Sequence, residues 1–224
     1  MKSCFDLKIM KRAYSLKLGR YLVPAILLAL LAGCLTSPNA FYNESDVDQD
    51  ARFLGAFVSN DSGLKVKISG EEQSGKHYLL QLTEGGKTTD YTATLFKIKD
   101  SLFVDMIPKD ENRVFERYSE GIPSASALLQ QISHNGKVIA SKRLHVLFRL
   151  SLSDKEIDCF GAKKAGDPSN PISKDSSIKV ATNGDGLVLE APTEALGNIV
   201  SRYAGTNWEQ LFPNNGLVLT RTGP

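Results

Sequence analysis

Short runs of alternating apolar and polar residues, separated by turn-forming residues, limit how this chain can fold more than any other feature. Leu64-Lys65-Val66-Lys67-Ile68 places three apolar side chains on one face of a strand and two lysines on the other. Because side chains alternate across a strand with a period of two, such runs predict an antiparallel sheet with one solvated face. Similar runs predict strands at 78–82, 91–98, 102–106, 144–152, 187–190 and 217–221.

The separators between these runs have the chemistry of tight turns. They are Asn60-Asp61-Ser62-Gly63, Gly85-Gly86 and Asn135-Gly136, all of which contain residues that tolerate a positive φ. Strands at this spacing, joined by short turns, are typical of a mainly β meander. The sequence therefore predicts an antiparallel meander curled into a barrel or a half-barrel.

One helix is predicted near the end of the chain. Thr193 is a suitable N-cap, Glu194 favours the positive end of the helix, and Gly205 is suited to ending it. Apolar residues recur at helical spacing and should lie on the sheet; they are Leu196, Ile199, Val200 and Tyr203. We expect this helix to cover one opening of the barrel. Residues 122–132 fit a helix or a strand equally, and residues 161–179 are predicted to form an exposed loop.

The first 33 residues have the composition of a leader. Six Lys and Arg residues and a single acid precede residue 21, and residues 21–33 carry no charge. Such a stretch rises only about 20 Å as a helix, whereas the bilayer core is about 30 Å thick. The segment is therefore too short for a membrane span and is typical of the apolar core of a secretory signal.

The residues that end the leader make its interpretation specific. Leu31-Ala32-Gly33-Cys34 resembles the lipobox of bacterial prolipoproteins: a branched apolar residue, two small residues and a cysteine. The resemblance implies that residues 1–33 are removed and that Cys34 receives a diacylglycerol and further acylation with chains such as palmitate. Two or three acyl chains hold a protein on a membrane, where a single chain gives only marginal binding.

The segment that follows Cys34 is polar and acidic. Residues 36–50 contain four acids and no base, so we expect residues 34–51 to form a flexible tether and residues 52–224 a single domain. Leu35 stands where enterobacterial lipoproteins retained in the inner membrane commonly have Asp. The sequence thus predicts a lipid-anchored protein facing the periplasm or the exterior, on the outer membrane if the source has one.

Charge and cysteine content restrict the partners. The chain has 27 basic and 25 acidic residues, of which six and one precede Cys34, so residues 34–224 have a balance of −3. The basic character belongs to the leader, and we expect no nucleic-acid partner. With Cys4 removed and Cys34 lipidated, Cys159 has no disulfide partner, and a buried inert thiol is favoured over a reactive one.

Five segments of the mature part, from Leu54-Gly55-Ala56-Phe57 to Leu217-Val218-Leu219-Thr220-Arg221, together resemble a group of uncharacterised bacterial lipoproteins with lipocalin-like barrels. Phe57 stands where a Trp is more usual in that group, and residues 119–143 look inserted. The group has no established chemistry, so the resemblance implies the fold and leaves the function open. The similar segments, in chain order, are Leu54-Gly55-Ala56-Phe57, Leu102-Phe103-Val104-Asp105, Leu144-His145-Val146-Leu147-Phe148-Arg149-Leu150, Leu189-Glu190-Ala191-Pro192-Thr193-Glu194-Ala195-Leu196 and Leu217-Val218-Leu219-Thr220-Arg221.

The sequence offers no catalytic or metal-binding pattern. His77, His134 and His145 lack the spacing of a zinc site, and no nucleophile elbow or phosphate-binding loop occurs. Asp105 and Glu190 lie near predicted strand ends, but nothing in the pattern pairs them. We therefore expect a protein that is not an enzyme, needs no cofactor, and acts by binding or scaffolding other envelope proteins. Carriage of a small apolar ligand in the barrel is the alternative, and an envelope hydrolase is the second alternative.

Seven aromatic residues are candidates for the barrel interior, which could be filled by them or hollow enough for a ligand. These are Phe57, Tyr78, Tyr91, Phe96, Phe103, Phe148 and Trp208.

Overall fold

The structure is a computed structural model that describes residues 35–71, 75–109, 129–134, 137–163, 167–175, 178–183, 186–213 and 216–223. The leader and Cys34 lie outside the described residues. The strands are β1 (Leu35–Ser37), β2 (Gly55–Val58), β3 (Lys65–Gly70), β4 (Tyr78–Glu84), β5 (Lys87–Ile98), β6 (Ser101–Pro108), β7 (Leu129–His134), β8 (Lys137–Arg143), β9 (His145–Leu152), β10 (Glu156–Phe160), β11 (Lys179–Asn183), β12 (Gly186–Glu190) and β13 (Leu217–Arg221). The α-helix α1 spans Thr193–Arg202, and 3₁₀ turns occur at Glu44–Asp46, Ala51–Phe53, Ile172–Lys174 and Gly205–Gln210.

Eight of these strands form a closed antiparallel barrel. Their order around the barrel is β2-β3-β4-β5-β6-β9-β10-β13, and β13 pairs with β2 to close it. The prediction of a mainly β meander is thus confirmed, and the barrel is closed rather than half open. Closure pairs every barrel strand on both sides, which removes the exposed edges that an open sheet would present.

The strand β9 holds two partners along one of its edges. Its first half pairs with β1, as in Leu35 opposite Leu147, and its second half pairs with β10, as in Leu152 opposite Ile157. The strands β12 and β11 extend the sheet beyond β1, and the pairing of β1 with β12 is parallel. The sheet therefore branches away from the barrel between Leu147 and Arg149.

The inner face of the barrel carries one apolar cluster, and alternation places its members. On β3, for example, Val66 and Ile68 are buried whereas Lys65 and Lys67 are exposed. The inner cluster consists of Phe53, Phe57, Leu64, Val66, Ile68, Tyr78, Leu80, Tyr91, Ala93, Leu95, Val104, Met106, Val146, Phe148, Leu150, Ile157 and Leu219.

A second apolar cluster covers the outer wall, so the expectation of one solvated face is wrong for this part of the sheet. Phe96, Phe103 and Leu147 point outward from β5, β6 and β9 and are fully buried. Helix α1 packs on them through the predicted stripe of Leu196, Ile199, Val200 and Tyr203. The helix thus lies against the wall of the barrel, and its predicted position over an opening is incorrect.

The ends of α1 also differ from the prediction. Pro192 is the N-cap, Thr193 is the first helical residue, and Tyr203 is the C-cap. Pro192 has a φ of −61° and a ψ of 155°, so its extended ψ marks the start of the helix, and no side-chain hydrogen bond caps it. A 3₁₀ turn then begins at Gly205.

The acidic segment after Cys34 is part of the fold, and the prediction of a flexible tether is wrong. Leu35 and Phe41 are fully buried in the outer cluster, and Val47 forms an isolated bridge with Phe96. The acids do not oppose this order because they find partners within the fold: Glu44 pairs with Lys76, and Asp50 pairs with Arg52. The apolar area buried by Leu35, Phe41 and Phe53 stabilises the segment.

The strands β7 and β8 pair with each other in a separate two-stranded sheet, outside the main sheet. Residues 129–132 of the undecided segment are therefore strand, whereas 122–128 lie outside the described residues. In the predicted loop 161–179, the described residues include a 3₁₀ turn and the first residue of β11. The expectation that this loop is exposed is wrong at Ala162, Asn170 and Ile172, which are buried. No helix in the described part of the chain is long and apolar enough to cross a bilayer.

Candidate functional site

The barrel interior is apolar and largely filled by side chains of the barrel strands. Of the seven aromatic residues predicted for it, Phe57, Tyr78, Tyr91 and Phe148 belong to the inner cluster. The other three, Phe96, Phe103 and Trp208, lie in or against the outer cluster, which corrects their predicted position. Residues such as Phe96 and Phe103 point outward because each follows or precedes an inward-facing neighbour on its strand, Leu95 and Val104 respectively.

Some inward-facing apolar side chains are only partly buried. They lie near the ends of the strands, where the barrel wall no longer covers them on all sides. They are Leu82, Leu102, Leu152, Cys159 and Leu217. The interior is thus packed at its centre and retains accessible apolar surface toward its ends.

One end of the barrel is closed by the segment that precedes β2. The 3₁₀ turn Ala51–Phe53 buries Phe53 in the inner cluster, where its ring meets Tyr78 edge-on at 5.1 Å between centroids. The Tyr78 hydroxyl accepts a hydrogen bond from the backbone N–H of Asp50 at 3.2 Å. The same chain segment therefore both fills this end and fixes the entry into β2.

Arg221 fastens the closed end. Its guanidinium donates to the carbonyl oxygens of Leu54 and Arg52, both at 2.7 Å, and to that of Asp154 at 2.8 Å. Its Cζ also lies 4.7 Å from the centroid of the Phe57 ring, within the range of a cation–π contact. We call these contacts the Arg221 clamp, because they join the last barrel strand to the start of β2 and to the β9–β10 turn.

Gly55 is required beside the clamp. Its φ is +137°, a conformation that side chains rarely adopt, and a Cβ at this position would lie 2.3 Å from Nη1 of Arg221. A side chain at position 55 would therefore displace the guanidinium from its place beside the Leu54 carbonyl.

A buried acid–histidine pair lies on the outer wall. Asp105 on β6 and His145 on β9 are joined by Nδ1 of the histidine, 2.9 Å from each carboxylate oxygen. Only 1% of the Asp105 side chain is exposed, and its Oδ2 also accepts the backbone N–H of Phe41 at 3.2 Å. Burial raises the pKa of Asp105, while the hydrogen bond from His145 opposes that rise. The pair thus fastens the segment 38–43 onto the barrel wall.

This pair has the acid and the base of a catalytic triad, but no nucleophile among the described residues is hydrogen-bonded to the histidine. Within the described residues, His145 makes hydrogen bonds to Asp105 alone. With Asp105 ionised, Nδ1 must carry the proton, because a carboxylate accepts only. The arrangement therefore orients His145 and anchors the backbone of Phe41.

A second hydrogen-bonded group lies nearby and joins His77, just before β4, and Tyr42 to Thr94 on β5. Nδ1 of His77 is 2.7 Å from Oγ1 of Thr94, which also accepts the Tyr42 hydroxyl at 3.3 Å. Burial raises the pKa of Tyr42, and the nearby Asp105 charge acts in the same direction. Among the described residues, no group of three or more His, Cys, Asp or Glu side chains could hold a metal ion.

The remaining residues considered from the sequence are placed apart from this wall. Glu190 pairs with Lys179 rather than with Asp105. Cys159 lies on β10 against the inner cluster, and burial raises the pKa of its thiol to about 12. The thiol is therefore uncharged at physiological pH and a poor nucleophile. Cys34 and the side chain of His134 are outside the described residues.

The sequence did not predict the contacts of Arg221 and Arg149. Both are arginines on strands whose partners come from distant parts of the chain, so no local spacing marks them. One signal in the sequence could have predicted the clamp. Gly55 and Phe57 start the first barrel strand, and Arg221 ends the last.

Comparisons with known proteins found no match to this chain among family models, curated proteins or solved structures. What the fold and its contacts define is a closed eight-stranded antiparallel barrel with one clamped end and a helix-covered wall.

Proposed function

We propose that the chain is a bacterial cell-envelope lipoprotein whose lipid is carried by Cys34 and whose barrel acts by binding or scaffolding. The observation that carries the proposal is the position of Leu35. This residue directly follows the lipobox cysteine, and it is the first residue of β1 and fully buried. Cys34 is therefore covalently joined to a buried residue of the sheet.

The barrel does not need the leader to close. All eight of its strands lie between Gly55 and Arg221, and the strand added at its wall begins at Leu35. Removal of residues 1–33 would leave this arrangement complete. A lipid on Cys34 would then hold the barrel close to the membrane, because no tether separates the anchor from the sheet.

A binding or scaffolding role is favoured over catalysis by the contacts of the polar groups. The buried Asp105–His145 pair holds backbone, and the Cys159 thiol is protonated. Leu35 stands at the position where an Asp would favour retention in the inner membrane. It therefore supports localisation to the outer membrane if the source has one.

Carriage of a small apolar ligand is the second candidate, and the partly buried inward-facing residues favour it. Leu82 and Leu217 present apolar surface toward the end of the barrel that lies opposite the Arg221 clamp. Native mass spectrometry of the purified protein separates the two roles. A bound small molecule would identify a carrier, and its absence would favour a scaffold.

The anchor is tested by metabolic labelling with a radioactive or alkyne-tagged fatty acid. We expect Cys34→Ser to abolish labelling and to accumulate the unprocessed precursor, because the thiol is the site of alkylation. Cys159→Ser is the matched control, since it removes a cysteine from the barrel and should leave labelling unchanged. Normal processing and labelling of Cys34→Ser would refute the proposal.

A further inference from the structure

An unusual arginine lies on the outer wall where the sheet branches. Cζ of Arg149 on β9 is 3.8 Å from the centroid of the Trp208 ring and 5.4 Å from that of Phe160. The two rings are 5.7 Å apart, so the guanidinium contacts both. Cation–π contacts of this kind operate within about 6 Å of a ring centroid. We call these three residues the Arg149 cluster.

The charge of Arg149 has no partner within the described residues. Its Nε is buried without a hydrogen bond, and no carboxylate of the described residues forms an ion pair with its guanidinium. Burial lowers the pKa of the guanidinium, and no carboxylate offsets that effect. The other arginines whose side chains the structure describes are satisfied: Arg52 and Arg202 bind carboxylates, and Arg221 binds three carbonyls.

A half-buried cation without a partner raises the free energy of the fold unless an anion is supplied from outside. The rings hold the guanidinium plane but cannot satisfy its N–H groups, which are donors only. A phosphate suits such a site because it accepts the parallel hydrogen bonds that a guanidinium fork donates.

The cluster lies beside the proposed anchor. Leu35 is paired with Leu147, and Arg149 is two residues further along the same strand, so both side chains point outward. Cys34 is bonded to Leu35, which bounds the distance between the Cα atoms of Cys34 and Arg149 at about 16 Å. A lipid on Cys34 would therefore bring the membrane surface within reach of this arginine.

We propose that the Arg149 cluster is a membrane contact at which the guanidinium binds the phosphate of phospholipid headgroups. The inference rests on the proposed lipidation of Cys34, which selects lipid phosphate over a soluble anion. Trp208 and Phe160 have the amphipathic or apolar rings that suit the membrane–water interface. The contact would fix the orientation of the barrel, with β9 toward the lipid and β3, which lies opposite it in the order of eight strands, away from it.

The chain contains a single tryptophan, Trp208, so its fluorescence reports on this cluster alone. The full-length protein, lipidated on Cys34 as shown by intact mass, is reconstituted in vesicles of phosphatidylcholine with or without phosphatidylglycerol. Quenching of Trp208 by lipids brominated near the headgroup then measures the docked fraction. We expect stronger quenching with the anionic lipid and its loss at high salt.

The variant Arg149→Gln should lower the ratio of docked to undocked protein about fivefold, which corresponds to about 1 kcal/mol per basic residue at an anionic surface. Lys67→Gln is the matched control, since Lys67 is exposed on the opposite strand β3 and should dock like the wild type. If Arg149→Gln fails to fold, Arg149→Lys and the salt dependence of the wild type serve instead.

Equal quenching of Arg149→Gln and the wild type would overturn the inference. So would a response of Trp208 to inorganic phosphate, in vesicles of phosphatidylcholine alone, as large as the response to phosphatidylglycerol, because the ligand would then be a soluble anion. These outcomes are distinct from failure of the anchor. A protein whose Cys34 carries no lipid refutes the proposed function, whereas vesicles added to that protein still test the contact.

Discussion

Substitution of Arg221 tests the idea that one side chain holds the closed end of the barrel together. The change Arg221→Met keeps most of the aliphatic stem and removes the three hydrogen bonds to the carbonyls of Leu54, Arg52 and Asp154. At an exposed site each bond is worth about 1 kcal/mol, and the contact with the Phe57 ring adds about 0.5 kcal/mol. We therefore expect a loss of about 3 kcal/mol in the free energy of unfolding.

Circular dichroism during thermal unfolding measures this loss. For a domain of this size, 1 kcal/mol shifts the midpoint by about 2–4 °C, so Arg221→Met should unfold about 6–12 °C below the wild type. Lys67→Met is the control, because it removes an exposed charge from β3 and leaves the closed end intact. Equal midpoints for the two variants would refute the clamp.

A double-mutant cycle isolates the close approach of Gly55 to the clamp. Gly55→Ala should cost about 1–3 kcal/mol from backbone strain alone, and more in the wild type because its Cβ would meet Nη1 of Arg221. In the Arg221→Met background that collision is absent, so the same change should cost less. An identical cost in both backgrounds would show that the guanidinium does not require the glycine.

Three further predictions follow from individual side chains. Gly197→Ala should stabilise helix α1 by up to about 1 kcal/mol. The added Cβ would lie 3.8–3.9 Å from Asn43 and the Phe41 carbonyl, which is ordinary contact distance. Urea unfolding measures the change in the free energy of unfolding, and a destabilised variant would show that the helix lies closer to the segment 38–43. Cys159 in the folded protein should react with iodoacetamide about a thousandfold more slowly than in the urea-unfolded protein. Only the thiolate reacts, and burial raises the pKa of the folded thiol to about 12. Equal reaction rates would contradict the burial of the thiol. The pKa of Asp105 is raised from 3.8, so the fold favours its protonated form. The stability that this contributes is present below pH 3.8 and is lost as the pH rises through the raised pKa. The free energy of unfolding of the wild type, relative to that of Asp105→Asn, should therefore fall as the pH rises over that range, and a difference that does not change with pH would contradict the shift.

The barrel could be predicted from alternation because each barrel strand needs only one inward face. Val66 and Ile68 between exposed lysines define such a strand directly. The outer wall was missed because burial on both faces erases the alternation. Leu95-Phe96 and Val146-Leu147-Phe148 are continuous apolar runs, and each run has neighbours that point to the inner and to the outer cluster.

The acidic segment after Cys34 was misread for a related reason. Its charges suggested solvation, whereas Leu35 and Phe41 are buried by strands and a helix that lie far away in sequence. The polar contacts depend on the same long-range pairing: Asp105 meets His145 only because β6 lies beside β9. No local spacing in a single sequence predicts such a pair.

The most direct test of the lipid anchor is the intact mass of the protein extracted from the membranes of a bacterium that processes lipoproteins. The account predicts residues 34–224 with a thioether-linked diacylglycerol and an acylated amino terminus on Cys34. The mass of the unprocessed 224-residue chain, or of a product in which Cys34 is unmodified, would contradict it.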